Sequence, residues 1–173
     1  MKFLICGFMG AGKTSYLQNF SKSIYNSQMT FDCVDLDQFI YKELANNYSS
    51  LSEFIENEGW EIFRELEYKK LEFLLTRDTT NHQIIALGGG VLENKKVRAL
   101  LQNKSTILIY LKSDFNILWD RIKDCKDRPL VKQGKDKIYQ KFVNREPEYL
   151  KADFTVGSYQ EFEEIINNAS HKY

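Results

Sequence analysis

The chain has 173 residues, with 24 Lys and Arg against 24 Asp and Glu, and so no formal net charge. That length fits one domain burying roughly 70% of its unfolded surface. A content of 43% hydrophobic and 28% charged residues excludes disorder, and 9 Gly with 2 Pro excludes collagenous and low-complexity classes.

The predicted elements follow in chain order. Residues 3–6 are an apolar run ended by Gly7, the pattern of a buried parallel strand. The run is too short for a signal peptide or a membrane span, so the chain reads as cytoplasmic and without a membrane partner. Leu17, Phe20 and Ile24, spaced at three and four, predict a helix over 14–25. A second strand is expected over 30–34, ending at Asp35. Leu36, Phe39, Ile40 and Leu44 then mark a helical stripe, and Ser52, Asn57 and Gly59 bracket a short helix. Residues 60–77 are the strongest helical segment, with Ile62, Phe63, Leu66, Leu71, Leu74 and Leu75 broadly on one side.

A third strand is expected over 83–87, before Gly88, Gly89 and Gly90. Val97, Leu100 and Leu101 mark a helix, and 106–111 a fourth strand. Ser113 or Asp114 can cap the helix carrying Ile117, Leu118 and Ile122. Residues 126–135 are polar and read as a loop. A helix is expected over 138–150, bent or broken near Pro147. Residues 154–156 make a fifth strand, and Ser158 with Glu161 forms a capping box that opens the last helix. Strands alternating with helices predict an α/β fold with a parallel sheet. Ligands in such sheets bind beyond the carboxyl ends of the strands, where the chain places Gly7 to Thr14, Asp35 with Asp37, and Gly88 to Gly90.

The zero charge is an average of unequal parts. Residues 32–72 hold 11 acids and 4 bases, a net −7, whereas 121–151 hold 10 bases and 5 acids, a net +5. The balance as a whole argues against nucleic acid as a partner. The asymmetry reads either as two solvated faces or as a basic element that closes over an anion. Cys6, Cys33 and Cys125 form no CxxC pair and share no ligand spacing with His82 and His171. That pattern points to buried or inert thiols and away from a disulfide frame or zinc.

The segment Gly7-Phe8-Met9-Gly10-Ala11-Gly12-Lys13-Thr14 matches G-x-x-x-x-G-K-[ST] between a predicted strand and a predicted helix. Its glycines let backbone N–H groups converge on phosphate oxygens, and the helix aims its positive end at them. Lys13 would reach the β- and γ-phosphates and Thr14 would ligate Mg²⁺, so the chain is expected to bind a nucleotide. Asp35 and Asp37, two apart at a strand's end, can serve different tasks: one holds Mg²⁺, usually through water, and the other takes a proton from a hydroxyl or orients it. The third strand ends without an Asp, which leaves the metal to Thr14 and Asp35. Three successive glycines permit close approach of a ligand. Arg64 and Glu67 are neighbours on a helix, and the Glu can steer a guanidinium that forks onto a carboxylate.

Taken in chain order, GFMGAGKT, DLD, FRELE, GGG, RPL and REPEY resemble the shikimate kinase family, small P-loop enzymes similar to nucleoside-monophosphate kinases. The likeness spans residues 3 to about 156. It implies one domain over 1–173, a three-layer α/β/α sandwich with a five-stranded parallel sheet. This is a P-loop NTPase fold with a substrate-binding helical region near 36–77 and a mobile lid near 124–137. The implied reaction moves the γ-phosphoryl group of ATP to the shikimate 3-hydroxyl, giving shikimate 3-phosphate and ADP, in chorismate and aromatic amino-acid biosynthesis.

By position, the resemblance has Asp37 bind that hydroxyl and act as, or near, the general base. Arg64, held by Glu67, and Arg145 would take the shikimate carboxylate, and Gly88, Gly89 and Gly90 would offer backbone groups. Gly10, Ala11, Gly12, Lys13, Thr14 and Ser15 would bind ATP together with Arg121 and Arg128. Lys13 and Arg128 would neutralise charge during transfer, with Mg²⁺ on Thr14 and Asp35. A small chain with no extra apolar face reads as a monomer. Two positions depart from the family: Val156-Gly157-Ser158 stands where it usually reads V-D-T, and Val131 follows R-P-L in place of a second leucine.

Overall fold

The computed structural model describes residues 1–24, 30–102, 105–125 and 129–170, apart from the side chains of residues 129 and 132. Its strands are β1 (Lys2–Cys6), β2 (Phe31–Asp35), β3 (His82–Ala86), β4 (Thr106–Leu111) and β5 (Phe154–Val156). They form one sheet in the order β2-β3-β1-β4-β5, with every pair parallel. A parallel pair needs a crossover, and helices supply it. They are α1 (Lys13–Ser23), α2 (Leu36–Leu44), α3 (Leu51–Glu58), α4 (Trp60–Thr76), α5 (Lys95–Gln102), α6 (Phe115–Ile122), α7 (Lys135–Tyr149) and α8 (Tyr159–Ser170). The result is the expected three-layer α/β/α sandwich. No helix among the described residues is long and apolar enough to cross a membrane.

The core follows from the strand sequences. Phe3, Leu4 and Ile5 of central β1 have no exposure, nor do Ile84 and Ile85 of β3 or Ile109 of β4. Strands covered on both faces read as continuous apolar runs, as these do. Edge strand β2 is half-buried along its whole length. Register then sets the site. Ile5 pairs with Ala86 and Ala86 with Asp35, so three strands end in one row and their following turns leave from the same edge.

Several helices differ from expectation for physical reasons. On α4 the buried stripe is Phe63, Glu67, Leu71, Leu74 and Leu75, while Ile62 faces solvent. At 100° per residue Ile62 falls off that stripe, and the position four after Phe63 holds a glutamate. Helix α3 is capped by Ser50 and not by Ser52: the Ser50 Oγ accepts from Glu53 N at 3.1 Å, and Glu53 Oε2 accepts from Ser49 N at 2.6 Å.

Within the expected loop, a 3-10 helix runs over Pro129–Gln133 and buries Val131, and α7 begins at Lys135. Helix α7 is not broken at Pro147 but continues to Tyr149. A proline so near the end costs the helix one hydrogen bond, and Tyr149, stacked on Tyr110 at 5.2 Å, anchors the last turn. Half of the expected capping box forms, with Glu161 N donating to Ser158 Oγ at 3.3 Å, while the return contact comes from one residue earlier, Gly157 N donating to Glu161 Oε2 at 2.8 Å.

Because β1 is packed on both faces, Leu4→Ala should cost about 2–5 kcal/mol of unfolding free energy. Urea denaturation measures this, and a loss below about 1 kcal/mol would contradict the packing described.

Candidate active site

The turn after β1 has φ of 146° at Gly7, 83° at Gly10 and 89° at Gly12, values that L side chains rarely adopt. At Gly10 a Cβ would also lie 2.9 Å from both Leu118 O and Ile122 Cγ2, so α6 leaves room only for glycine. Gly12 is the N-cap of α1, which turns that helix's unpaired N–H groups and positive end toward the turn. The Lys13 ammonium donates to Gly7 O at 2.7 Å and Phe8 O at 3.1 Å, curling the loop around itself. Arg121 of α6 donates from Nη1 to Gly10 O at 3.0 Å. A cavity of about 490 Å³ opens here, bordered by residues 10–16, Asp35, Asp37, Gly89, Arg121 and Gly157.

The Thr14 hydroxyl donates to Asp35 Oδ2 at 2.7 Å, while Asp35 Oδ1 caps α2 by accepting from Gln38 N at 3.2 Å. Two hard oxygens beside a phosphate-sized cavity fit Mg²⁺, which takes one or two protein oxygens and completes its shell with water and phosphates. Among the described residues, no three His, Cys, Asp or Glu are grouped to hold a metal by themselves.

A second cavity of about 500 Å³ adjoins the first, and Asp37 and Gly89 line both. Its apolar wall is Met9, Leu51, Ile55, Trp60, Phe63 and Leu130; its polar wall is Arg64, Glu67, Arg145 and the three glycines. Glu67, only 1% exposed, is paired through Oε2 with Arg64 Nη1. Burial pushes its carboxyl up to about 7 against the pull of Arg64, and nearby Asp37 adds to the rise. Arg64 also lies over the Trp60 ring at 5.0 Å and the Phe63 ring at 5.6 Å. Buried Arg145 donates from Nη2 to Glu93 Oε2 at 2.8 Å, and its Nε has no partner among the described residues.

The glycines form a thin floor. A Cβ on Gly88 would sit 2.6 Å from Glu67 Oε1 and 2.9 Å from Asp37 Oδ1, and one on Gly90 would overlap the Arg64 guanidinium. Tyr149 donates its hydroxyl to Gly89 O, which ties α7 to that floor.

One cavity thus offers cations and a helix N-terminus to phosphates, and its neighbour offers two arginines to a carboxylate. Asp37 stands in the shared wall, where a hydroxyl would meet a phosphoryl group. A shikimate kinase family model matches residues 9–172. The chain belongs to the shikimate kinase family. It is therefore a phosphotransferase acting on an alcohol. It is 34% identical over 162 residues to the shikimate kinase of Chlorobium chlorochromatii, covering 88% of this chain and 79% of that one. The crystal structure of the Aquifex aeolicus shikimate kinase is similar, with a TM-score of 0.76 and 26% identity over 99% of this chain and 96% of the other. The fold also matches the Acinetobacter baumannii shikimate kinase solved in complex with shikimate, with a TM-score of 0.79 and 23% identity over 99% and 93% of the two chains.

In this kinase the structure gathers Gly10, Ala11, Gly12, Lys13, Thr14, Ser15, Asp35 and Arg121 around one cavity. It gathers Arg64, Glu67, Gly88, Gly90 and Arg145 around the other. Arg128 lies outside the described residues. Sequence reasoning missed Glu93, whose carboxylate faces both arginines, at 2.8 Å from Arg145 Nη2 and 3.8 Å from Arg64 Nη2. No spacing rule marks it, since it reaches the arginines across the fold. Of the apolar wall, only Phe63 reads from sequence as a helix-core position; Met9 and Leu130 stand inside motifs, and Leu51, Ile55 and Trp60 carry no site signal. Cys6 is buried and pushed up to about 12 by burial, as an inert thiol should be, but Cys125 is exposed in the turn after α6 and borders the second cavity.

Glu67 carries a sign that can be checked. Its folded pKa of about 7 lies above the ordinary 4.5, so between those values the folded chain keeps a proton that the unfolded chain has released. That contribution is fully present below about 4.5 and is lost as pH rises to about 7. In thermal unfolding scans, the wild type should lose stability relative to Glu67→Gln across that window, and the difference should be flat above it. Parallel curves from pH 4 to 8 would contradict the shift.

Proposed function

We propose that this protein transfers the γ-phosphoryl group of ATP to the 3-hydroxyl of shikimate, as a cytoplasmic monomer that has no nucleic-acid or membrane partner. The observation that carries this reading is Asp37 in the wall common to the two cavities. A carboxylate there can accept or orient the proton of a hydroxyl while the neighbouring cavity presents the phosphoryl group in line with it. The cyclic acid lies in the second cavity with its carboxylate toward Arg64 and Arg145 and its ring against Met9, Trp60 and Phe63. Most of that wall comes from residues 36–77, read as the substrate-binding region. Cys125 and Leu130, from the segment read as the lid, also border the cavity.

ATP lies along the first cavity, its phosphates on the backbone N–H groups of Gly10 to Ser15. The substrate oxygen forms a bond to the γ-phosphorus as the bond to the bridging oxygen of ADP breaks, and the hydroxyl proton passes toward Asp37. Lys13 and Arg121, with Arg128 assigned on resemblance alone, offset the charge on the phosphates. Thr14 and Asp35 would hold Mg²⁺, which supplies charge neutralisation on the β- and γ-oxygens when bound. Glu67 keeps the Arg64 guanidinium turned into the cavity.

A coupled ADP-release assay with shikimate tests the reading directly. Asp37→Asn should lower kcat by about 10²- to 10⁴-fold while ATP still binds; turnover near wild type would remove Asp37 from the reaction. Arg64→Ala should raise the KM for shikimate by about tenfold to a hundredfold and leave that for ATP nearly unchanged. Equal effects on the two ligands would refute the carboxylate contact.

A further inference from the structure

Glu93 closes the 3-10 helix Val91–Glu93, immediately after the triple glycine. Glu93 is not among the residues lining the second cavity; it borders an adjoining surface depression that shares Arg64 with that cavity. There Oε2 lies 2.8 Å from Arg145 Nη2 and 3.8 Å from Arg64 Nη2, and 2.9 Å from where a Cβ on Gly90 would stand. One oxygen set between two guanidinium groups is the arrangement that a bound carboxylate would need. The exposures are unequal: 47% for the Glu93 side chain, against 6% for Arg145 and 22% for Arg64. The arginines are held in place by protein, whereas Glu93 is half in water and can rotate out with little desolvation change.

We propose that Glu93 is a competing stand-in, whose carboxylate sits on Arg64 and Arg145 in the empty site and gives way to the carboxylate of the substrate. The inference rests on the proposed reading of the second cavity as the shikimate site. Charge counting supports it. The two cations already pair with Glu67 and Glu93, so a further carboxylate entering with Glu93 still in place would meet it as a like charge. With Glu93 turned to solvent, the incoming anion takes over its hydrogen bond from Arg145 and its ion pair with Arg64. A neutral polyol of similar shape cannot make that exchange, because it leaves the arginine–Glu93 contact as it was. The device therefore lowers affinity for acids and leaves affinity for neutral analogues as it was, so it tempers the hold of the two arginines on an anion.

The test is a steady-state comparison of wild type with Glu93→Gln and Glu93→Ala, using shikimate and its uncharged carboxamide. Both variants should lower the KM for shikimate by about three- to fivefold, with the effect in KM and not in kcat. The KM for ATP should not move. Neither variant should improve use of the carboxamide by the same factor, a split that a merely structural role would not produce. Thermal melting of each variant confirms that it is folded. A KM for shikimate that is unchanged, or that rises in Glu93→Gln, overturns the proposal, a rise meaning that Glu93 holds Arg145 in its working position. Wild-type protein inactive on shikimate would instead overturn the substrate assignment. Calorimetric titration of shikimate into the same three proteins separates the cases, since a wild type that binds without turnover still reports on Glu93.

Discussion

The site depends on one constraint, the common ending of three parallel strands. Ile5, Ala86 and Asp35 lie side by side in hydrogen-bonded register. Every group assigned to phosphate or hydroxyl chemistry on these strands follows within a few residues: Gly7 to Thr14 after β1, Asp37 after β2, Gly88 to Gly90 after β3. A slip of one residue between β2 and β3 would send alternate side chains to the opposite face and carry Asp37 away from Gly89. The burial of β3 on both faces is what makes such a slip costly. Core packing and active-site geometry are here a single specification.

The uneven charge along the chain follows from the same geometry. The acidic half supplies Asp35 and Asp37 at the sheet edge and buries Glu67 beneath the glycines. The basic half sends Arg121 to the phosphate cavity and Arg145 to its neighbour. A carboxylate as enclosed as Glu67 is tolerated because Arg64 is pressed against it, and the rise of its pKa to about 7 records how incomplete that compensation is. Glu67 Oε1, without a hydrogen-bond partner among the described residues, is the part left uncompensated.

Much of this was legible in the residue order because local rules govern it. Each strand followed by glycine or aspartate, and the G-x-x-x-x-G-K-T turn, are written in consecutive residues. Arg64 and Glu67 were a pair on spacing alone. What was not legible depends on contacts across the fold. The buried rank of Glu67 among leucines contradicts its polarity, and only the Arg64 pairing explains it. The triple glycine read as room for a ligand, yet its floor is first of all room for Glu67, Asp37 and Arg64. Pro147 read as a break because its cost is local, whereas the burial of Tyr149 that holds the helix together comes from β4 and the glycine turn.

Asp37 and Gly89 each belong to two cavities, and this has a thermodynamic consequence. A ligand that fixes their positions from one side fixes them for the ligand arriving on the other. The two substrates are therefore energetically linked through a wall one residue thick. Linkage makes the coupling reciprocal: the factor by which nucleotide alters affinity for the acceptor must equal the factor by which the acceptor alters affinity for nucleotide. Whichever enters first, the free energy of the loaded enzyme is the same, and any preferred order of binding is a matter of rates alone.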